Sequence, residues 1–92
     1  MEFEWNHEKS LRNLDKHGID FEKAKGLWND VERVEIKTPY PLEDRYVLIG
    51  KLGNQLWSAI YTIRRGAIRL ISARRSRKRE VRLYEQEKIS EN

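Results

Sequence analysis

The chain contains no cysteine, and no apolar run in it approaches the length of a membrane span, ~20 residues. The absence of cysteine excludes a disulfide-stapled secreted module and a thiolate metal site. The first residues include Glu2, Glu4, His7 and Glu8, which do not fit a signal peptide. We therefore expect a cytoplasmic protein without a membrane segment.

The length and composition are those of one small globular domain. The 92 residues are 38% hydrophobic and 37% charged, a balance that argues against wholesale disorder. A chain of this size has room for one compact core and one working surface. We expect residues 1–92 to form a single domain rather than an enzyme with a cleft between two lobes.

Charge is distributed unevenly between the two halves of the chain. Residues 1–44 carry seven Lys or Arg against eleven Asp or Glu, whereas residues 45–92 carry twelve against four. Residues 64–82 hold nine cations, eight of them Arg, and only one acid, Glu80. Because the planar guanidinium of Arg binds phosphate through two hydrogen bonds, this segment predicts a polyanionic partner, nucleic acid first. A solvated basic helix and an acidic protein partner are the alternatives.

The first half of the sequence predicts two short helices. Asn6 is a suitable N-cap, and Leu11 and Leu14 mark one face of a helix that ends at Gly18. Asp20 can cap a second helix. The apolar positions of this second helix follow the helical period: Phe21, Ala24, Trp28 and Val31. We expect the two helices to pack as a helical hairpin.

The remainder predicts an antiparallel β-meander and a C-terminal helix. Alternation from Val34 to Lys37 is typical of a strand with one wet face. Residues 45–52, 55–62 and 67–73 predict three further strands. The turn Gly53-Asn54 suits type II′, and Arg64-Arg65-Gly66 suits a three-residue loop. With Ser76 capping the last helix, the expected fold class is α+β, the helical hairpin packing on the sheet.

These two turns predict which side chains share a face of the sheet. An aliphatic set is expected to cover the N-terminal helices: Val47, Ile49, Leu56, Ile60, Ile68 and Leu70. A set with rings and a cation is expected on the other face: Tyr46, Leu48, Trp57, Tyr61, Arg69 and Ile71. The second set could stack on nucleobases, or could pack under the last helix or at a subunit interface.

An ordered set of short motifs runs from Phe3 to Tyr84. The motifs are Trp5-Asn6, Lys16-His17-Gly18-Ile19, Ala24 with Trp28 and Asp30, Arg45 with Ile49-Gly50, Tyr61-Thr62 with Arg64, and residues 68–74 with Glu80 and Tyr84. Together they resemble the BrnT toxins of bacterial type II toxin–antitoxin systems. The segment Ile71-Ser72-Ala73-Arg74 is the most specific part, and Asn6 departs from the Asp usual in that family.

The resemblance implies a RelE-like fold, with N-terminal helices packed on an antiparallel sheet. It also implies an endoribonuclease that needs no metal or other cofactor and that cleaves RNA to inhibit translation and growth. The implied partner is a BrnA-type antitoxin that contributes a DNA-binding domain for operator DNA. The implied assembly is a dimer of toxin–antitoxin heterodimers.

Metal-free RNA cleavage needs a group to accept the 2′-OH proton, cations to stabilise the phosphorane and a donor for the 5′-oxygen. Arg45, Arg64 and Arg74 match family positions, and we expect them to hold the scissile phosphate. Their alternative role is in surface or structural ion pairs.

The general acid and base stay open among four residues. His17 is a candidate because histidine is the residue type most often used for proton transfer, but it could instead satisfy the last carbonyls of its helix. Tyr61 and Tyr84 can donate a proton or, if nearby arginines lower the pKa, lose one, although Tyr84 could simply anchor the last helix. Glu80 could be a base or could pair with Arg77 within its helix.

Other cations are expected to position the RNA backbone: Arg65, Arg69, Arg75, Arg77, Lys78 and Arg79. The sequence contains no metal-ligand spacing and no nucleotide-binding glycine motif. The function that the resemblance implies is that of a toxin endoribonuclease. A non-catalytic module that binds nucleic acid or the antitoxin is the alternative.

Overall fold

A computed structural model describes residues 1–39 and 41–90. Its elements are β1 (Phe3–Glu4), α1 (His7–His17), α2 (Phe21–Ala24) continued by a 3₁₀ turn (Lys25–Asn29), β2 (Val34–Thr38), β3 (Arg45–Leu52), β4 (Gln55–Arg64), β5 (Ala67–Arg75) and α3 (Lys78–Ser90). The sheet order is β1-β5-β4-β3-β2. The α+β class is confirmed, but the sheet is mixed rather than purely antiparallel, because β1 runs parallel to β5.

Helix α1 buries polar rather than apolar side chains. Asn6 caps it by accepting from the Lys9 N–H at 3.0 Å. The prediction that Leu11 and Leu14 mark a packed face is wrong, since they are 52% and 45% exposed. The buried positions are Ser10 and Asn13. They are buried because they satisfy backbone groups that would otherwise lack partners.

Asn13 joins α1 to β5 beyond the end of the short strand β1. Its amide donates to the Ala73 carbonyl at 2.8 Å and to the Ile19 carbonyl at 2.7 Å. Its oxygen accepts from the Ala73 N–H at 3.2 Å. The side chain thus takes the place of a neighbouring strand at Ala73, and α1 lies along the β5 edge at this point.

Helix α2 begins as its sequence predicts and ends early. Asp20 caps it by accepting from the Lys23 N–H at 2.8 Å, and Phe21 and Ala24 are buried. The chain then continues as the 3₁₀ turn. The expectation that Val31 extends the apolar face is wrong, because Val31 lies beyond this turn and is 91% exposed.

One of the two predicted hairpin turns is confirmed and the other is wrong. Gly53 has φ 60° and is followed by Asn54, as a type II′ turn requires. The predicted three-residue loop is wrong, because Arg64 pairs with Ala67 and leaves only Arg65-Gly66 as the turn. Both turn residues have positive φ, 53° and 80°, which is the type I′ conformation.

This shorter turn moves the first part of β5 to the opposite facing. Ile68 pairs with Ile63 and Leu70 with Tyr61, so Ile68 and Leu70 lie on the face that carries the rings. A register shift beside Tyr61 leaves Ile71 as an extra residue in β5, so the facing changes again and Ser72 and Arg74 lie on the face opposite to the rings. The predicted facing of Ile68, Leu70 and Arg69 is therefore wrong, as a one-residue change in a turn reverses every side chain after it.

The face that carries the rings packs against the N-terminal helices. The Trp28 ring meets Phe3 at 5.0 Å and Tyr61 at 5.2 Å, and Tyr46 stacks on Tyr61 at 5.2 Å between centroids. The expectation that the aliphatic face covers these helices is wrong. The core is made of buried side chains from α2 and the sheet: Ile19, Phe21, Ala24, Leu27, Leu48, Ala59, Tyr61, Ile68, Leu70 and Ala73.

The opposite side of the sheet meets helix α3, and we call it the α3 face. Ser58, in β4, bonds to Glu80 of α3. Tyr84 is 2% exposed and donates to Asp30, which accepts from the Lys51 N–H as well. Helix α3 is therefore fastened at its first turn and again one turn later.

Candidate active site

Four of the arginines singled out in the sequence share the α3 face. Ser58 pairs with Arg74 and Thr62 with Arg69, so these side chains lie on one side of the sheet. Alternation along β3 and β4 places Arg45 and Arg64 on that side as well. The structure thus collects these four cations on one face, opposite the face with the rings.

Arg74 is bound by an acidic partner. Its guanidinium donates to both oxygens of Glu80, at 2.6 and 2.9 Å. The same carboxylate accepts from the Ser58 hydroxyl at 3.0 Å and from the Arg77 N–H at 2.8 Å. Both side chains are largely buried, at 18% and 13% exposed. This arrangement caps α3 and fixes it to β5.

The contacts of Glu80 make it a poor proton acceptor. Burial alone would raise its pKa, but the hydrogen bonds from Arg74, the Arg77 N–H and Ser58 outweigh burial and lower the pKa to about 2. A carboxylate with this pKa stays ionised at neutral pH and holds a proton weakly. The expected pairing of Glu80 with the Arg77 side chain is replaced by a bond to the Arg77 backbone.

Arg45 and Arg64 lie at the other end of the α3 face. Each approaches Glu43, at 3.8 Å. Ser58, the partner of Arg74, and Arg64 are six residues apart along β4, roughly 20 Å. The structure therefore does not bring Arg74 together with Arg45 and Arg64, the three arginines expected to hold the scissile phosphate.

The two candidate tyrosines do not lose protons readily. Tyr61 lies on the face with the rings, where burial, followed by its hydrogen bond to Glu35, raises its pKa above the ordinary value. Burial and the hydrogen bond to Asp30 raise the pKa of Tyr84 in the same way. The expectation that nearby arginines make these hydroxyls lose a proton more readily is wrong. Arg33 does lower the pKa of Tyr61, but burial and the carboxylate beside each hydroxyl outweigh it.

Asp30 is the acceptor that fixes Tyr84. Its carboxylate accepts from the backbone N–H of Lys51 and of Glu32, each at 2.9 Å, and from the Tyr84 hydroxyl at 2.8 Å. Burial alone would raise its pKa, but these hydrogen bonds lower it below the ordinary value. Asp30 therefore stays ionised and ties the 3₁₀ turn, β3 and α3 together.

His17 lines a cavity of about 320 Å³ between α1 and β5. The cavity is lined by Lys9, Arg12, Asn13, Lys16, His17, Ile71 and Ser72. Asn13 is engaged with the backbone, and Ser72 contributes a hydroxyl from the α3 face. We call Lys9, Arg12, Lys16 and His17, with Ser72, the basic cavity. None of the ion pairs found among the described residues involves its four basic side chains.

Sequence reasoning missed three of these cations. Lys9, Arg12 and Lys16 stand in the acidic half of the chain, which drew attention away from them. Lys9, Arg12 and Lys16 are three and four residues apart, which is the spacing of one helix face, and this pattern could have found them. The structure brings them to β5, the strand with the most specific family motif.

The cations expected to position RNA fall into two groups. Arg69 pairs with Glu4 at 2.7 Å, and Arg75 lies 5.9 Å from the Trp57 ring centroid. The others are exposed on the Arg65-Gly66 turn and at the start of α3: Arg65, Arg77, Lys78 and Arg79.

The part of the chain that the structure describes contains neither a metal-binding cluster nor a helix that could span a membrane. No three His, Asp or Glu side chains come together there in a group that could hold a metal ion. None of its helices is long and apolar enough to cross a membrane.

Comparison with protein families gives the chain an assignment. The model of a family described as ribonuclease toxin, BrnT, of type II toxin–antitoxin system matches residues 5–80. The chain belongs to this family. Membership makes it a relative of ribonuclease toxins and implies an RNA substrate and an antitoxin partner. No curated protein matches the chain.

The region matched to the BrnT family contains the whole basic cavity. It also contains Arg74 and Glu80, the pair that fastens α3, and it ends before Tyr84. The basic cavity and the Arg74–Glu80 pair therefore both lie within the residues that the family model matches.

Proposed function

We propose that the chain is a toxin endoribonuclease that cleaves RNA by attack of the 2′-OH, without a metal, and that the reaction takes place at the basic cavity. The observation that carries this proposal is the position of His17 beside Lys9, Arg12 and Lys16 in one open cavity. Family membership supplies the ribonuclease class. The placement of the reaction comes from the geometry of α1 and β5.

In this mechanism His17 exchanges the proton and the cations stabilise the charge. The imidazole accepts the 2′-OH proton as that oxygen attacks the neighbouring phosphorus. The bond to the 5′-oxygen breaks, and this leaving oxygen takes a proton from water in the open cavity. Lys9, Arg12 and Lys16 face the negative charge that develops on the phosphorane. The products of this step are a 2′,3′-cyclic phosphate and a 5′-hydroxyl.

The remaining cations act on the RNA backbone on either side of the cavity. Exposed Arg77, Lys78 and Arg79 follow the end of β5, whereas Arg64 and Arg65 precede the start of β5. Phosphate contacts of this kind set the position of a strand without reading its sequence. Arg74, Glu80, Tyr61 and Tyr84 hold the scaffold in this proposal and take no part in proton transfer.

The biological part of the proposal follows from the family. The toxin would inhibit translation and growth by cleaving cellular RNA, and a BrnA-type antitoxin would cover it, as a dimer of heterodimers that binds operator DNA. The N-terminal helices packed on one face of antiparallel strands β2 to β5 suit a RelE-like arrangement. Since Tyr46, Leu48 and Tyr61 are packed against the N-terminal helices, the antitoxin would bind the basic cavity rather than that aromatic face.

The test is cleavage of a defined RNA by the purified chain in EDTA, with analysis of the new ends. We expect fragments that carry 2′,3′-cyclic phosphate or 3′-phosphate, since only 2′-OH attack gives these ends. RNA that carries 2′-deoxy at the cleavage position is the matched control and should stay intact. Activity that needs added Mg²⁺ would contradict the mechanism. RNA binding without cleavage would favour the alternative, a non-catalytic binding module.

Induction of the chain in cells tests the toxin role separately. We expect growth to stop when the chain is produced without its antitoxin, and to resume when the antitoxin is supplied. Normal growth with a folded, RNA-cleaving protein would contradict the role in growth arrest while leaving the chemistry in place.

A further inference from the structure

Strand β2 is an edge of the sheet. Its partner on one side is β3, and no strand of the described residues pairs with its other side. Such an edge presents a row of backbone N–H and C=O groups to which another strand can bond. The strand has five residues, Val34–Thr38, and Pro39 and Pro41 follow it. Because proline cannot donate to a ladder, an added strand is confined to these residues.

The sequence of β2 is complementary to itself. When two copies run antiparallel and are centred on Ile36, each Glu35 lies opposite Lys37 of the other copy, and each Val34 lies opposite Thr38. Opposite charges placed directly across an antiparallel pair stabilise it. A two-fold axis through Ile36 would thus form two Glu–Lys pairs at once.

Both charged side chains are accessible for this pairing. The Glu35 side chain is 41% exposed and lies 3.4 Å from Arg33, and it also accepts from Tyr61. The Lys37 side chain is 61% exposed and lies 3.2 Å from Asp44. A carboxylate has about four acceptor positions, so Glu35 can bind a second cation without giving up Tyr61.

Two highly exposed apolar side chains flank this edge. Val31 precedes β2 and is 91% exposed, and Leu42 follows it and is 93% exposed. An antiparallel arrangement brings the start of one β2 to the end of the other. Val31 of one copy would therefore lie near Leu42 of the second copy, and both ends of the contact would remove apolar surface from water.

We propose that the partner of the β2 edge is a second copy of this chain, joined in a two-fold homodimer with β2 paired antiparallel about Ile36. The paired sheets form one continuous ten-stranded sheet, twice the five strands of a single chain. The basic cavity lies beside β5, three strands away from the contact, so the dimer leaves it open. This inference stands on the edge strand and is independent of the proposed ribonuclease activity.

Sedimentation velocity of the purified full chain over a concentration series tests the dimer. We expect a monomer–dimer equilibrium, and we expect Val31→Asp and Leu42→Asp each to weaken it at least about tenfold, because the substitution puts charge where apolar side chains meet. Leu11→Asp on α1 is the matched control, since it changes an exposed leucine away from β2 and should leave the equilibrium unchanged. Thermal unfolding checks that every variant is folded.

A charge exchange tests the register. Lys37→Glu places like charges opposite each other and should also weaken the dimer, whereas adding Glu35→Lys to it exchanges the charges and should restore association. A wild-type chain that stays monomeric up to about 1 mM would overturn the proposal. So would a dimer that survives Val31→Asp, Leu42→Asp and Lys37→Glu unchanged, because its interface would lie elsewhere.

Discussion

The basic side chains along α1 and the arginine at the end of β5 have opposite surroundings. Arg74 is largely buried, and both terminal nitrogens of its guanidinium donate to Glu80. Lys9, Arg12 and Lys16 line an open cavity and join none of the ion pairs found among the described residues. A cation already paired with a carboxylate stabilises the fold, whereas an unpaired one is ready to bind phosphate. Under the proposed function, RNA therefore binds where cations are accessible, rather than where positive charge is densest in the sequence.

The largest effect should come from His17→Ala. We expect RNA cleavage to fall by roughly 10²–10⁴-fold, since this is the usual contribution of a general acid or base. His7→Ala is the matched control, because His7 is on the same helix, is exposed and does not line the cavity. Single-turnover cleavage with saturating enzyme measures both. Equal rates for the two variants would remove His17 from the mechanism.

Glu80→Gln tests whether the buried Arg74–Glu80 pair stabilises the fold. Because Arg74 would lose its charge partner in a largely buried position, we expect the free energy of unfolding to drop by about 2–3 kcal/mol. Cleavage below the unfolding temperature should change little. Glu85→Gln, an exposed change on the same helix, should leave stability within about 0.5 kcal/mol of the parent. Denaturant unfolding gives the values, and a loss of cleavage by folded Glu80→Gln would contradict the structural role of the pair.

Acid should lower the free energy of unfolding through protonation of Glu80. The pKa of Glu80 is about 2 in the folded chain against an ordinary value of 4.5. A lowered folded-state pKa gives stability that is complete above the ordinary value and is lost as pH falls from about 4.5 towards 2. We expect unfolding free energies measured between pH 6 and 2.5 to fall less steeply for Glu80→Gln than for the parent chain. Parallel curves would mean that Glu80 is not the group responsible.

The smallest expected effect concerns the salt dependence of RNA binding. Replacing Arg12 by Gln should flatten the slope of log affinity against log salt by about 0.7, the value for one phosphate contact on a single strand. Arg69→Gln should change the slope less, because Arg69 is already paired with Glu4 at 2.7 Å. Fluorescence anisotropy with a cleavage-resistant RNA measures both slopes. A larger change for Arg69 than for Arg12 would contradict the rule that unpaired cations bind RNA.

Local signals in the sequence predicted the elements well. The caps at Asn6 and Asp20 and the Gly53 turn are confirmed, because each depends on side-chain or backbone chemistry within a few residues. Strands β2 to β5 were predicted for the same reason. The facing of β5 was not, since it depends on whether Arg64 belongs to the turn, and nothing in Arg64-Arg65-Gly66 decides that alone.

The motifs that carry the family resemblance have structural explanations that local patterns do not reveal. At Gly50 a Cβ would lie 3.2 Å from the Leu27 carbonyl oxygen, a tight contact that glycine avoids. Asp30 holds Tyr84, and Arg74 holds Glu80. These contacts join positions distant in sequence or in different elements. The catalytic roles predicted for Arg74 and Tyr84 did not take into account the carboxylates that folding brings beside them.

The basic cavity was only partly predictable. His17 was a candidate from its chemistry, but its three cationic neighbours come from a helix in the acidic half of the chain, and Ser72 comes from β5. Their meeting depends on Asn13, whose buried amide bonds to Ala73 and sets α1 against that strand. A buried asparagine in a helix gives no indication from sequence of which backbone it binds.

The most direct test of the account is NMR of the side chains on binding a cleavage-resistant RNA that carries 2′-deoxy at the scissile position. We predict that the imidazole signals of His17 and the Nε–H signal of Arg12 shift on titration, while the Nε–H signal of Arg74 stays in place because Glu80 continues to hold its guanidinium. A shift of Arg74 with unchanged His17 and Arg12 would contradict the account. It would place the RNA at the β5–α3 junction and make Glu80 a competitor for the RNA phosphate.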